Sequence, residues 1–249
     1  MRVHTWLKIN LIVILLAFLS GEVAYAKTYL VSVGVTDYTH HYGRPSNLRY
    51  TVKDAKDMGS LYQNKKDAEV YVLTNSQATV KNVKSMMNKV FSKANRNDEV
   101  ILFFSGHGFP GGFCLSDNNL LYNDIRKAMA KSKAGRKMII ADACHSGAVR
   151  VDASVAARHT DQVKKADVMM FLASRSDEYS KEAYQYGNGL FAAWLFSALK
   201  GAADVDNDRT ITALELFNYV HRGVTKDSKD KQHPVMWGNF KTSMPVMKL

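Results

Sequence analysis

The sequence predicts an α/β protein with a mainly parallel central sheet of about six strands and helices on both faces. Segments typical of strands alternate with segments typical of helices, the order found in parallel sheets covered by helices. Three strand-like segments are continuously apolar, as expected for strands buried on both faces. These three are EVILFF at 99–104, KMIIA at 137–141 and VMMFLA at 168–173.

The remaining elements follow from residue type and spacing. Two further β-rich runs predict strands at Thr28–Val35 and Ala68–Leu73. Apolar residues at helical spacing and related patterns predict helices at Leu48–Gln63, Thr79–Ala94, Asn123–Lys131, Leu190–Leu199 and Thr212–Val220. The polar, unpatterned stretch Ala148–Lys165 separates two core strands and predicts an exposed loop.

Composition excludes several classes of protein. The 249 residues are 46% hydrophobic and 23% charged, which are ordinary globular proportions. Two cysteines are too few for a disulfide scaffold, and no H-E-x-x-H or comparable metal-ligand spacing is present. The formal charge of +11 is spread along the chain, so we expect it to serve solubility rather than nucleic-acid binding.

The N-terminus has the pattern of a secretory signal. Arg2 and Lys8 precede the apolar run 11–19, and Ala24-Tyr25-Ala26 supplies the small residues of a cleavage site. The run is shorter than the roughly 20 residues of a membrane-spanning helix, although an uncleaved anchor is the alternative. We therefore expect residues 1–26 to be removed, an exported (periplasmic or secreted) protein, no stable membrane insertion, and one domain at 27–249.

Two predicted strands end in residues suited to nucleophilic catalysis. The run 99–104 leads into Ser105-Gly106-His107-Gly108, and the run 137–141 leads into Asp142-Ala143-Cys144-His145-Ser146-Gly147. If these strands are parallel neighbours, His107 and Cys144 emerge at the same sheet edge, where α/β proteins place their sites. An imidazole beside a thiol can activate the sulfur and later protonate a leaving amine.

These two motifs resemble the catalytic pair of the caspase-like cysteine peptidases. The sequence is most similar to metacaspases and their bacterial relatives, the orthocaspases, because true caspases carry Gln-Ala-Cys-Arg-Gly at the nucleophile. The segments 29–35, 47–55, 189–191 and 232–234 resemble other parts of the family, although the usual Cys-x-N before Asp54 is replaced. The resemblance implies a caspase-like fold with a large-subunit-like part at 27–147, a linker at 148–166 and a small-subunit-like part at 167–249.

The resemblance also assigns roles to residues. Cys144 would be the nucleophile, His107 the general acid and base, and the backbone N–H groups of Gly108 and Cys144 the oxyanion hole. Asp54 and Asp142, with Ser105 nearby, match the acidic pocket that takes Arg or Lys before the scissile bond. Two carboxylates favour a guanidinium through charge-assisted hydrogen bonds. The alternatives are a surface charge for Asp54 and a turn residue or cap for Asp142.

Three features leave alternatives open. The loop 148–165 carries basic residues, so an enzyme of this specificity could process itself there. Cys114 is either a small buried thiol or a redox partner of Cys144. Asp204, Asp206, Asp208 and Glu215 occupy EF-hand-like positions, but Arg209 stands where the loop needs glycine, and a capped helix at Thr210 or Thr212 is the alternative.

The sequence therefore predicts an exported cysteine endopeptidase that cleaves protein or peptide substrates after Arg or Lys. It predicts no required cofactor, with calcium activation left open. A catalytically silent caspase-like binding module is the alternative, and an acyl transferase or ligase using the same thiol is a third reading.

Overall fold

The structure is a computed structural model that describes residues 26–143, 168–175, 178 and 180–249. Residues 1–25 of the predicted signal segment 1–26, Cys144 and the linker 148–166 lie outside the described residues.

A six-stranded sheet forms the centre of the fold. Its strands are β1 (Thr28–Gly34), β2 (Ala68–Thr74), β3 (Glu99–Ser105), β7 (Arg136–Asp142), β8 (Val168–Leu172) and β12 (Val235–Gly238). Their spatial order is β12-β8-β7-β3-β1-β2, and all neighbours are parallel except β12, which pairs antiparallel with β8. The predicted, mainly parallel six-stranded sheet is confirmed. The sequence analysis missed β12, the antiparallel edge strand.

Helices cover both faces of this sheet. They are α1 (Thr51–Gln63), α2 (Val80–Phe91), α3 (Tyr122–Lys131), α4 (Leu190–Ser197) and α5 (Ala213–Asp227). One buried cluster joins α2 and α3 to one face of the sheet, and a second joins α1, α4 and α5 to the other. Alternate side chains of each strand enter the two clusters, which explains why the strand sequences are apolar without a period of two.

Short strands complete the fold. A three-stranded sheet contains β4 (Gly108–Phe109), β5 (Gly112–Cys114) and β6 (Asn119–Leu121). Two antiparallel pairs complete the set: β9 (Glu182–Ala183) pairs with β10 (Asn188–Gly189), and β11 (Thr210–Thr212) pairs with β13 (Pro245–Lys248).

The predicted helices exist, but their ends differ. The first begins at Thr51 rather than Leu48, and the last runs to Asp227 rather than Val220. Thr79 is the N-cap of α2, where its side chain accepts a hydrogen bond from the Asn82 N–H. After α4 a π-helical turn covers Ala198–Ala202 and includes Gly201 at φ 116°. Apolar spacing locates the middle of a helix better than its ends, so the predicted bounds differ from the observed ones by several residues.

Candidate active site

The predicted site residues begin at the carboxyl ends of two neighbouring strands. β3 and β7 are parallel and in register, so that Ser105 pairs with Asp142 at their last positions. His107 follows Ser105 by two residues, and Cys144 follows Asp142 by two. The expectation that the two strands are parallel neighbours is confirmed. Cys144 and His145 lie outside the described residues.

Contacts on two sides hold His107. Its backbone N–H donates to the Tyr38 hydroxyl at 2.8 Å, and the two rings lie 4.9 Å apart. Its Nε2 lies 2.7 Å from the carbonyl oxygen of Ser46. Because a carbonyl oxygen only accepts, Nε2 carries the hydrogen, and in the neutral imidazole Nδ1 is then the basic nitrogen. In this tautomer Nδ1 is free to accept a proton.

The residue before His107 must be small. A Cβ on Gly106 would lie 2.6 Å from the Tyr38 hydroxyl and 2.7 Å from the Phe104 ring. Glycine therefore lets the backbone pass close enough to Tyr38 for the His107 N–H to reach it. Gly108, the predicted oxyanion donor, is the first residue of β4 and pairs with Phe113.

Asp54 lies in a fully buried hydrogen-bond network. Its side chain is 0% exposed, in the first turn of α1. It accepts hydrogen bonds from Ser105 Oγ at 2.8 Å, from Asn188 Nδ2 at 2.8 Å and from the Gly189 N–H at 3.2 Å. The alternative reading of Asp54 as a helix-surface charge is wrong, because α4 and β10 cover this end of α1.

Asp142 lies beside Asp54 at the start of α4. Its Oδ2 accepts from the Ala192 N–H at 3.1 Å, in the first turn of that helix. Asp142, at the end of β7, therefore also caps the N-terminus of α4, in agreement with the alternative interpretation of this residue as a cap. Gly189 is packed between the two acids: a Cβ there would lie 2.2 Å from Asp142 Oδ2 and 3.2 Å from Asp54 Oδ2.

Burial changes the protonation of both acids. Desolvation raises the pKa of Asp54 to about 6, against hydrogen bonds from Asn188 and Ser105 that lower it. Desolvation and the charge of Asp54 raise the pKa of Asp142 to about 7. Lys181 lines the adjoining cavity, but its Nζ donates to the Ser228 carbonyl at 3.1 Å, and no lysine or arginine in the described part of the chain pairs with either acid. Two adjacent buried carboxylates are costly, so the pair favours a bound cation.

A cavity of about 40 Å³ adjoins the acid pair. Its lining residues include Asp54, Ser105, Gly106, Asp142, Glu182 and Gly189. The structure thus brings together the three predicted substrate-binding residues. The sequence did not predict roles for Asn188 and Glu182. The one sequence feature near them is the Gly189-Leu190-Phe191 segment, which follows both residues and resembles the family.

Glu182 connects the two halves of the chain at the cavity rim. Its Oε1 accepts from the backbone N–H groups of Arg49 at 2.7 Å and Tyr50 at 3.0 Å. These N–H groups precede α1, whose N-cap residue Tyr50 makes no side-chain cap. Glu182 therefore fixes the start of the helix that carries Asp54.

Cys114 is a free thiol within the described part of the chain. Burial raises its pKa to about 11, which disfavours the thiolate. Its backbone N–H donates to the His107 carbonyl at 2.9 Å. Cys114 is half-buried, in partial agreement with the buried-thiol interpretation, and its redox pairing with Cys144 stays a prediction because Cys144 lies outside the described residues.

The EF-hand-like loop has a clear structural role. Thr212 and Glu215 form a reciprocal capping box at the start of α5, in which Glu215 Oε2 accepts from the Thr212 N–H at 2.9 Å. This confirms the capped-helix alternative. The carboxylates of Asp204, Asp206 and Asp208 lie within 4.8 Å of one another. Arg209 adopts φ 66°, the left-handed conformation for which an EF-hand loop uses glycine at this position.

No helix in the described residues is long and apolar enough to cross a membrane.

Comparison with known proteins establishes the family. The caspase domain family matches residues 29–243, so the chain belongs to it. This membership supports a cysteine peptidase. A search of curated proteins gives no match.

Solved structures share the fold. A protein from Geobacter sulfurreducens is 19% identical with a TM-score of 0.66, over 90% of this chain and 100% of that one. Caspase-1 from Spodoptera frugiperda is 12% identical with a TM-score of 0.67, over 90% of this chain and 91% of that one. The caspase-like fold is thereby confirmed.

Proposed function

We propose that this member of the caspase domain family is an exported cysteine endopeptidase that cleaves after Arg or Lys, as metacaspases and orthocaspases do. Cys144 is the nucleophile and His107 the general acid and base. The observation that carries the specificity is the buried pair Asp54 and Asp142, packed around Gly189 beside the strand end that leads to Cys144. Family membership supports the chemistry, and the acid pair supports the substrate class.

The chemistry proceeds through an acyl-enzyme. His107 Nδ1 takes the proton of the Cys144 thiol, whose sulfur attacks the scissile carbonyl carbon. The C–N bond breaks, the imidazolium returns its proton to the departing amine, and a thioester remains. His107 then activates a water that hydrolyses the thioester and regenerates the thiol. The Ser46 carbonyl keeps the ring in the tautomer that these steps need, at 2.7 Å from Nε2. N–H groups of Gly108 and Cys144 stabilise the oxyanion.

The electrostatics of the pocket select the side chain before the cut. A guanidinium or ammonium places a positive charge beside the buried acids, so it lowers the free-energy cost of their ionisation. An aspartate in the substrate would add a third negative charge and be repelled. Glu182 at the cavity rim adds to this repulsion.

Regulation belongs to the same proposal. The segment 148–165 contains Arg150, Arg158, Lys164 and Lys165, which are substrates for this specificity in the protein's own linker. Self-cleavage there would follow from the same pocket. The catalytic steps need no cofactor. Calcium remains a possible activator, with Asp204, Asp206 and Asp208 as oxygen ligands and Glu215 occupied by the capping box.

The test compares the wild-type protein with the Cys144→Ala variant on fluorogenic peptides ending in Arg, Lys, Asp or Ala. Both proteins are assayed in reducing buffer, with calcium or with a chelator. Cleavage after Arg and Lys that disappears in the variant supports the proposal. Cleavage after Asp contradicts the acidic pocket, and silence on every peptide from folded protein favours the binding module. Intact mass after incubation reports self-cleavage, which the variant lacks.

A further inference from the structure

The chain enters the fold at Lys27, beside a buried carboxylate. The Lys27 backbone nitrogen donates to Asp98 Oδ1 at 2.9 Å, and the Lys27 carbonyl accepts from the Glu99 N–H at 2.8 Å. Asp98 is only 2% exposed. Its second oxygen accepts from the Asn95 N–H at 2.8 Å. The first residue of the predicted mature chain is therefore fixed through its backbone nitrogen.

Asp98 has no cationic partner among the described residues. Its hydrogen-bond donors there are the backbone N–H groups of Lys27 and Asn95, and no lysine or arginine side chain forms an ion pair with it. A buried carboxylate normally requires a positive charge as well as hydrogen bonds. A cation at the position of the Lys27 nitrogen would meet this requirement.

Cleavage after Ala26 creates such a cation. Hydrolysis of the Ala26–Lys27 amide bond leaves a carboxylate on Ala26 and an amine on Lys27, which binds a proton near neutral pH. Ala26 and Lys27 are both exposed, so the bond is accessible to a peptidase in the folded chain. The small-residue pattern that predicts cleavage and the contact with Asp98 are independent observations, and they select the same nitrogen.

We propose that Asp98 is the binding site for the mature N-terminal ammonium group of Lys27, and that signal removal thereby stabilises the folded enzyme. This inference rests on the export included in the proposed function, but not on peptidase activity. Before cleavage the nitrogen is a neutral amide with one hydrogen. After cleavage it carries a positive charge and three hydrogens, so the same contact becomes a charge-assisted ion pair.

Glu99 places a second acid near the same terminus. It is 4% exposed, and its Oε2 accepts from the hydroxyl of Thr28, the residue after Lys27, at 3.1 Å. Its Oε1 has no hydrogen-bond partner in the described structure, but it lies 3.9 Å from Arg136 Nε. Glu99 therefore already has a cation beside it, and Asp98 is the acid that a terminal ammonium group would neutralise.

The experiment starts from the full 249-residue chain carrying Cys144→Ala, so that self-cleavage cannot confuse the result. It is expressed in a secreting bacterial host, and the exported product is sequenced from its N-terminus. A matched variant has Gly-Ser inserted between Ala26 and Lys27, which moves the new ammonium group two residues away. Both chains are also made with Asp98→Asn, which keeps the shape of the side chain and removes its charge.

We expect the exported product to begin at Lys27. The insertion should lower the thermal unfolding midpoint at pH 7 by about 2 to 6 °C, the effect of a charge-assisted contact in a domain of this size. In the Asp98→Asn background the insertion should cause no further change. As a second readout, we expect an N-hydroxysuccinimide ester to acylate the Lys27 α-amine about tenfold more slowly than the inserted terminus, as a one-unit rise in amine pKa would give.

Several results would overturn the proposal. One is an exported product that retains residues 1–26 or begins at a residue other than Lys27. Another is a thermal unfolding midpoint and an acylation rate that are both the same with and without the insertion. An insertion effect of the same size in the Asp98→Asn background would also contradict it. Failure of the wild-type enzyme to cleave peptides would reject the proposed peptidase, while these measurements would be unaffected.

Discussion

Asn188 donates a side-chain hydrogen bond to Asp54 at 2.8 Å, although the two residues are 134 positions apart in sequence. The same side-chain nitrogen donates to Asp57 at 2.9 Å, and its oxygen accepts from Lys53 Nζ at 3.1 Å. Asn188 precedes α4, which follows the linker in sequence, and Asp54 lies in α1, which comes before the linker. The acid pocket therefore forms only when the parts of the chain before and after the linker pack together.

Loss of one pocket charge should abolish the preference for basic residues. Asp142→Asn keeps the shape of the side chain but removes a partner of the substrate guanidinium. We expect kcat/KM for Arg peptides to fall about 10- to 100-fold, the range for a hydrogen bond to a charged group. The matched control is Asp124→Asn, an acid that pairs with Lys84 on the other face of the sheet, for which we expect a much smaller loss. Equal losses in the two variants would contradict the pocket assignment.

Filling the space between the two acids should have a similar effect. A Cβ in Gly189→Ala would lie 2.2 Å from Asp142 Oδ2, so the acids must move apart. We expect reduced cleavage of both Arg and Lys peptides and a lower unfolding midpoint. The control is Gly187→Asn, because a Cβ there meets nothing within 4 Å and asparagine tolerates its φ of 63°. Unchanged kinetics in Gly189→Ala would show that the acids do not bind substrate.

The fold and part of the site could be predicted because they depend on local patterns. Apolar runs and helical spacing identify the layers, and β3 and β7 carry Ser105 and Asp142 to one edge because parallel strands end together. The rest depends on packing that no local pattern records. Glu182 supplies a cap for a helix more than a hundred residues earlier, and Ser46 orients His107 from a loop. The antiparallel β12 is half-exposed and short, so its signal is weak.

The capping box of α5 should contribute stability without affecting catalysis. Thr212→Ala removes the hydroxyl that accepts from the Glu215 N–H at 3.3 Å and donates to its carboxylate at 2.7 Å. We expect a loss of about 1 kcal/mol, which lowers the unfolding midpoint by about 2 to 4 °C. Thr212→Ser should restore most of it. A large fall in kcat for Thr212→Ala would contradict a purely structural role.

Tyr38 should position the general base. Its hydroxyl is the acceptor for the His107 N–H, and Tyr38→Phe would leave that N–H unpaired. We expect kcat to fall about 5- to 30-fold with KM for Arg peptides little changed, since roughly 1 to 2 kcal/mol of orientation is lost. A variant with altered KM and normal kcat would place Tyr38 in substrate binding instead.

Substrate binding should weaken as the pH falls through the pKa values of the pocket acids. Asp142 has a pKa of about 7 and Asp54 of about 6, so both are ionised at pH 8 and largely neutral at pH 5. We expect the Cys144→Ala protein, whose binding needs no catalysis, to hold an Arg peptide about tenfold or more weakly at pH 5 than at pH 8. An Ala peptide is the control.

The same acids should change stability in the opposite direction. Their pKa values in the folded chain exceed the ordinary aspartate value of about 3.8, so the folded state binds more protons than the unfolded state between about pH 4 and pH 7. Their contribution therefore makes the folded chain less stable as the pH rises through that window. Asp142→Asn should flatten this dependence when the free energy of unfolding is measured from urea titrations at pH 5 and pH 8. If the pH dependence of the free energy of unfolding is unchanged in Asp142→Asn, another group titrates in this window. If the Arg peptide binds equally well at both pH values, the acid pair does not recognise the substrate.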